Sequence, residues 1–486
     1  MDIDIEEKSV CYGCIGERFL SSKIEIEDNL VTCSYCDYEE IPGCSLRDLA
    51  EMVDVAFEQH YDRMSEDLPD DWPLEWIKNR ADDWEPDGSP VIYAIMDAVN
   101  TSEEIASDIQ QILEGKHYSR SSAEIGETSD FHDGSFYDTR SPDDSEWEKK
   151  WFDFEESLKN KTRFFSRNAF EHLHSVFQHI EHFKTHDKNP VVKIIGHDSD
   201  IEILYRARAF QSDSGLKSAL ELPHKELGPP PSSFAKAGRM NASGISVFYG
   251  ATNSATALAE IRPPVGSNVI VAKFQIKRKL KVLDLSALSY TVVKGSIFDT
   301  KYVSILSRTS FLRKLSQRMT KAVMPDDEHF EYLPTQAISD FLASEMGFDG
   351  IIFPSAQSES GYNVALFNHA ARVEEITYPK DSEIQASLSD WEDDMEIQSY
   401  SVRAKIPEYI DDPEKAVKDP WDLACVKLIP QDSDKRLVTI SVDKESIVVE
   451  HIKSVVINSE SFSVDYWEYK IPVRFSSTPS DRTLPF

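Results

Sequence analysis

The spacing of hydrophobic and polar positions divides the chain into a helical part and a strand-rich part. Leu46, Leu49, Met52, Val53 and Phe57 recur at helical spacing behind Ser45, a residue suited to an N-cap. Further helices are expected at about 97–115, 144–159 and 162–186. Residues 116–143 are rich in Ser, Asp and Gly with few apolar positions, which reads as a solvated loop. From about 191 the pattern changes to short strands, expected at 201–210, 245–249, 269–276, 280–285 and 364–367. A buried strand is also expected before Ser355, and helices at 254–260, 300–320 and 333–346. The 211–237 segment, with Gly228-Pro-Pro-Pro231, reads as loop. Beyond a polar connector at 376–420, runs at 437–442, 446–450 and 455–457 suggest a β meander or a sheet extension. The chain is therefore expected to be α+β, in units of 1–44, 45–190, 191–375 and 376–486.

Composition narrows the function classes. The 486 residues are 40% hydrophobic, enough for a globular core. Net charge is −34, which disfavours binding to nucleic acid or to an anionic membrane. The opening Met-Asp-Ile-Asp-Ile-Glu-Glu-Lys is charged, so no secretory leader is expected, and no run is apolar enough for a membrane helix. These features together suggest a cytoplasmic protein, in which cysteines serve as thiols or metal ligands rather than disulfides. Cys11-Tyr-Gly-Cys14 and Cys33-Ser-Tyr-Cys36 form two Cys-x2-Cys knuckles, the pattern of a zinc ribbon. A closed four-cysteine site of this kind is structural, and a hairpin turning at Asp28-Asn29 is expected between the knuckles.

Chemically capable residues concentrate between Gly238 and Glu260. A Gly-Arg-Met-Asn turn leads to an apolar strand, a turn of small residues and a helix. Arg239, Tyr249 and Glu260 offer a guanidinium, a phenol and a carboxylate, the groups needed by a site for a charged nucleotide with an aromatic base. Each is ordinary taken singly; the reading rests on their joint order and context. A second candidate is Arg167-Asn-Ala-Phe-Glu-His172, which resembles the Arg-x4-His ribonuclease motif of HEPN domains, with His as acid or base and Arg on a phosphate.

Residues 201–367 resemble the RES domain, the toxin domain of RES–Xre toxin–antitoxin systems. The resemblance is carried by L-Y-R-A-R, G-R-M-N, V-F-Y-G-A-T, T-A-L-A-E, F-D-G-I-I-F-P-S and N-V-A-L-F, in that order. The preceding ribbon and helices are similar to the module named as a HEPN/RES N-terminal domain. Met240 stands where the family usually has an aromatic residue, and the 211–237 segment is longer than the family's spacing leads one to expect. The resemblance implies a mixed core like that of ADP-ribosyltransferase toxins, NAD+ as substrate and an antitoxin or immunity protein as partner. It places the family's polar positions on Arg239, Tyr249, Glu260 and Ser355, with an earlier arginine on Arg206 or its neighbour Arg208.

These residue types suit cleavage of the nicotinamide–ribose bond, whose transition state is oxocarbenium-like. Glu260 would stabilise the positive charge developing at the ribose, or orient water or phosphate at the anomeric carbon. Arg239 and Arg206 would hold the pyrophosphate. Tyr249 would offer a face to nicotinamide, and Ser355 a hydrogen bond to the carboxamide or ribose. Competing readings are a ribonuclease using Arg167 and His172, a protein ADP-ribosyltransferase with the same cleft, and a non-catalytic binding module.

Overall fold

Leu20 and Ile24 stand four residues apart and are both buried, and the segment joining the two cysteine pairs folds around them as a helix, Arg18–Glu27. Glu17 caps it by accepting from the Leu20 N–H, and Asp28 ends it in the left-handed conformation, φ 49°. The hairpin expected between the knuckles is thus corrected: the alternation of Ile24-Glu-Ile-Glu27 looks like a strand, but burial along one helical face overrides it. The computed structural model describes residues 4–36, 38–65, 86–119, 128–161, 167–358, 360–379, 382–392, 395–407, 434–456 and 459–469.

The first helices build a core of their own. Ser45 caps the helix Leu46–His60 by accepting from the Asp48 N–H at 3.1 Å, and Leu46, Leu49, Val53 and Phe57 are buried. Helices Val91–Val99 and Glu103–His117 pack in the same cluster, together with Phe131 and Tyr137. The expected loop at 116–143 therefore contributes two buried aromatics and a strand, Phe136–Thr139; residues 120–127 lie outside the described residues. The helix expected to reach 186 ends at Phe177, because the chain turns at His179 (φ 57°) to bury Ile180 and Phe183.

The rest of the fold is organised by an eight-stranded mixed sheet. Its strands lie in the order Ile440–His451, Asn268–Ile276, Ile203–Phe210, Phe248–Ala251, Tyr362–Leu366, Gly350–Pro354, Leu280–Asp284 and Val192–Ile195. Leu280–Asp284 and Gly350–Pro354 run parallel, and the other neighbours are antiparallel. Side chains alternate between faces. Ile352, Val364 and Leu366 join one core, shared with helix Asp213–Glu221. Ile351, Phe353 and Ala365 join another, covered by helices Ser145–Glu156, Arg167–Phe177, Tyr302–Thr320 and Leu333–Ser344. Helix Asp213–Glu221 falls in the stretch expected as loop; Ser212 caps it, and Leu216, Ala219 and Leu220 bury against the sheet.

Two further features correct the reading of the C-terminal part. The run at 446–450 and the end of the run at 437–442 lie along one edge strand, Ile440–His451, which pairs with Asn268–Ile276 and is irregular where Val271 and Lys273 pass it. The structure is thus a sheet extension rather than a separate meander, and residues 455–456 form no strand. The expected connector instead contains a hairpin, Glu383–Glu392 with Met395–Lys405. Among the described residues, no helix is long and apolar enough to cross a membrane.

Strands Ile203–Phe210 and Phe248–Ala251 share a single register pair, Tyr205 with Ala251. The sheet parts beyond that point. On the helix-covered face two clusters separate there as well: one holds Phe353 and Tyr249, the other Ala207, Ala257 and Val269. The cleft described next opens between them.

Candidate active site

The Gly238–Asn241 turn closes on itself, with Gly238 N donating to Asn241 O at 2.9 Å. Tyr249 Oη locks it by accepting from Met240 N at 3.0 Å and donating to Asn241 Oδ1 at 2.8 Å. Glycine is required at 238: a Cβ there would lie 2.7 Å from Asn241 Oδ1 and 3.0 Å from Tyr249 Oη. Thr335 Oγ1 donates to Arg239 O at 2.6 Å and Gln336 Nε2 to Gly238 O at 2.8 Å, so the turn is fixed to helix Leu333–Ser344. Burial pushes the Tyr249 hydroxyl up to about 12, so it remains a neutral donor at ordinary pH.

Arg206 and Arg239 reach the cleft without a carboxylate partner among the described residues. Arg206 donates from Nη1 to Tyr249 O at 3.0 Å, with its guanidinium carbon 4.9 Å from the Phe248 ring centre. Burial, reinforced by the charge of Arg208, lowers its pKa to about 10, so it stays cationic at neutral pH. Arg239 donates from Nη1 to Met319 O at 3.0 Å and lies over the Tyr332 ring at 5.1 Å. Carbonyls and aromatic faces position both cations without neutralising them, which leaves their charge available to an anion.

Glu260 is the last residue of helix Ser254–Glu260, which Asn253 caps by accepting from the Thr256 N–H at 2.8 Å. A carboxylate at the C-terminal end opposes the helix dipole, so stabilisation of the helix does not account for it. It is held instead by two donors to one oxygen, Ser355 Oγ to Oε1 at 2.5 Å and Asn363 Nδ2 to Oε1 at 2.7 Å. Its other oxygen, Oε2, has no protein donor among the described residues. Ser355 in turn accepts from Gln357 N at 3.0 Å.

Arg206, Arg239, Tyr249 and Glu260 line one cavity of about 480 Å³, within the usual range of small-molecule sites. Ser355 does not line it, but stands behind Glu260. Arg208 does not line this cavity and pairs with Glu226 Oε2 at 3.0 Å, whereas Arg206 lines it. Sequence reasoning missed Asn363, Tyr332 and Arg262, which also line the cavity. Asn363 had a signal: it is a buried polar residue opening an otherwise apolar strand run. Tyr332 and Arg262 had none.

Arg167 and His172 are not brought into one site. Arg167 is exposed and pairs with Glu171 Oε1 at 2.9 Å. His172 is buried among Trp147, Trp151, Phe154 and Phe311, with neither ring nitrogen bonded among the described residues. Burial, with the nearby Lys150 charge, lowers its pKa to about 4.

Cys11, Cys14, Cys33 and Cys36 converge in the N-terminal part, where they could hold a metal. The Sγ–Sγ separations are 3.6 Å for Cys11–Cys14, 3.6 Å for Cys11–Cys36 and 3.8 Å for Cys14–Cys33. A tetrahedron of thiolates about 2.3 Å from a central ion has edges of about 3.8 Å, so the donor set fits a four-coordinate metal. Cys44 is buried apart from the cluster, and Cys425 lies outside the described residues.

Comparison with known proteins places a RES domain at residues 203–388. A solved structure similar to the chain is the M. tuberculosis MbcT–MbcA toxin–antitoxin complex, with 13% identity over 35% of this chain and 76% of that one and a TM-score of 0.20. Among curated proteins, none matches.

Proposed function

We propose that the RES domain cleaves NAD+ at the nicotinamide–ribose bond, by hydrolysis or phosphorolysis, in a toxin or defence effector. The observation that carries this reading is the Glu260 carboxylate. It is fixed through Oε1 by Ser355 and Asn363, leaves Oε2 without a protein donor among the described residues and faces a cavity also lined by Arg206 and Arg239, neither of which is in an ion pair among those residues. A held carboxylate of this kind needs no reorganisation to stabilise positive charge as it develops at the ribose. Arg206 and Arg239 receive the pyrophosphate, which supplies the negative charge they lack. The Tyr249 ring borders the cavity while its hydroxyl holds the turn that carries Arg239. Ser355 acts here as a positioning residue for Glu260 rather than as a ligand of the carboxamide. Nicotinamide leaves as a neutral base, so this chemistry requires no general acid.

The split in the sheet at Tyr205–Ala251 supports an ADP-ribosyltransferase-like core, in which the nucleotide enters between the parted strands. Transfer of ADP-ribose to a macromolecule would use the same cleft. An antitoxin or immunity partner fits an activity that would otherwise deplete a host's NAD+. The four-cysteine cluster is assigned to structural zinc and no part in catalysis.

The test is incubation of the full chain with NAD+, with and without inorganic phosphate, following nicotinamide by chromatography. Release that falls about 10²–10³-fold or more in Glu260→Ala is expected. Dependence on phosphate identifies a phosphorylase, and label from NAD+ retained on protein identifies a transferase. No nicotinamide release, or equal release from the variant, defeats the proposal.

A further inference from the structure

A second cavity, of about 660 Å³, lies away from the active-site cleft and shares no lining residue with it. It is walled by Trp147, by the turn after helix Arg167–Phe177, by Val292 and Val293, and by Ser304, Ile305 and Arg308 of helix Tyr302–Thr320. The chain carries 86 acidic residues against 52 Lys and Arg, yet none of the fifteen residues lining this cavity is acidic and four are Lys or Arg. Three histidines, His179, His182 and His186, add to them. Two carboxylates outside the lining stand beside its histidines: Glu181 next to His179 and His182, and Asp187 at 3.7 Å from His186.

The cations are not used internally. Among the described residues, Lys184, Lys188, Lys294 and Arg308 form no ion pair. Arg308 lies over the Phe183 ring at 4.9 Å and donates from Nη2 to Gln178 O at 3.1 Å, while its Nε has no partner among the described residues. Burial lowers the pKa of Arg308 from its ordinary value, which marks a desolvated charge lacking a counter-ion. Such a charge is unfavourable by itself and is compensated when an anion arrives. Val292, Val293, Ile305 and Trp147 provide an apolar wall beside the cationic rim. A purely inorganic anion would leave that wall unused, and an uncharged aromatic compound would leave the cations unused.

We propose that this cavity binds a nucleoside phosphate, with the base against the apolar wall and Arg308 and the phosphates toward Lys184, Lys188 and Lys294. Flat guanidinium and aromatic surfaces accept any base, and lysines bind phosphate as point charges, so affinity depends on both halves of the ligand. The size of the cavity suits one nucleotide.

The test is calorimetric titration of the full chain with ADP at low salt, comparing an Arg239→Ala variant with a double variant, Lys184→Glu and Lys294→Glu, made in that Arg239→Ala background. Both lysines are exposed, and melting curves check that the double variant folds. ADP binding is expected to persist in Arg239→Ala, to weaken at least tenfold in the double variant, and to weaken as salt is raised. Adenosine is expected to bind far more weakly than ADP. ADP binding unchanged in the double variant, abolished by Arg239→Ala alone, or no stronger than adenosine binding overturns the proposal. These readouts do not involve NAD+ cleavage, so the two assignments stand or fall separately.

Discussion

Ser355 donates its hydroxyl proton to Glu260 Oε1 across 2.5 Å, and so ties the end of helix Ser254–Glu260 to the end of strand Gly350–Pro354. The two residues are 95 positions apart in sequence, and Asn363 adds a second donor from the neighbouring strand. The carboxylate sits at the helix end where the dipole disfavours it, and these two donors offset that penalty.

The first prediction concerns this tie. A hydrogen bond to a charged group contributes about 1.5–3 kcal/mol, equivalent to roughly 10–100-fold in rate if it acts wholly in the transition state. Ser355→Ala is expected to lower kcat for nicotinamide release by that factor with little change in KM, and to be milder than Glu260→Ala. A shift confined to KM would show that Ser355 binds the substrate directly and would remove its positioning role.

Tyr249→Phe tests the turn that carries Arg239. Removing the hydroxyl strands Met240 N–H and Asn241 Oδ1, each of which loses its Tyr249 bond. The loss is expected at about 1–3 kcal/mol, read as a lower urea midpoint. KM for NAD+ should rise more than kcat falls, because the ring remains and only the Arg239 turn loosens. A variant as stable as the wild type would show that the turn is held elsewhere.

The residues legible in the sequence were those whose role is local. The Ser45 cap and the helix Ser254–Glu260 follow from capping chemistry and spacing within a dozen residues. Most strands from 203 to 366 followed from alternation and apolar runs, but the one expected at 245–249 begins only at Phe248 and runs to Ala251, and Thr291–Val292 was not foreseen. Failures came where tertiary burial decided the outcome. Ile24-Glu-Ile-Glu27 alternates like a strand yet is helical, and Asp213–Glu221 looks like loop until Leu216 and Leu220 meet the sheet. The site itself is non-local. Glu260, Ser355 and Arg206 were joined only through resemblance to a family, and the contact of Asn363 with Glu260 crosses 103 positions with no periodic signal to announce it.

His172 provides a test by pH. Its folded pKa, about 4, lies below the roughly 6.5 of the unfolded chain. Between these values the unfolded state binds a proton that the folded state refuses. Stability from this group is therefore complete above about pH 6.5 and is lost as pH falls toward 4, by about 2 kcal/mol at pH 5. Other groups also titrate in this window, so the relevant quantity is a difference. In urea unfolding at pH 7.5 and pH 5, His172→Phe is expected to lose less stability than the wild type by about that amount, with NAD+ turnover unchanged. Loss of nicotinamide release in this variant would instead return His172 to the list of functional residues.

The four-cysteine cluster gives the last prediction. Sulfur separations of 3.6–3.8 Å are those of a thiolate tetrahedron about a metal, and such clusters join metal binding to folding. Purified protein is expected to contain one zinc per chain by elemental analysis. Removal by a strong chelator should lower the melting temperature of the part built on Val10, Ile15, Leu20 and Leu46, which surrounds the cluster. Cys14→Ser should reproduce the effect without chelator, because it removes one of four ligands from a closed site. Nicotinamide release measured well below the melting temperature should change little, since none of the four cysteines lines the Glu260 cavity. A metal-free preparation with unchanged melting would leave the cluster as reduced thiols, and loss of turnover at full folding would give it a place in catalysis.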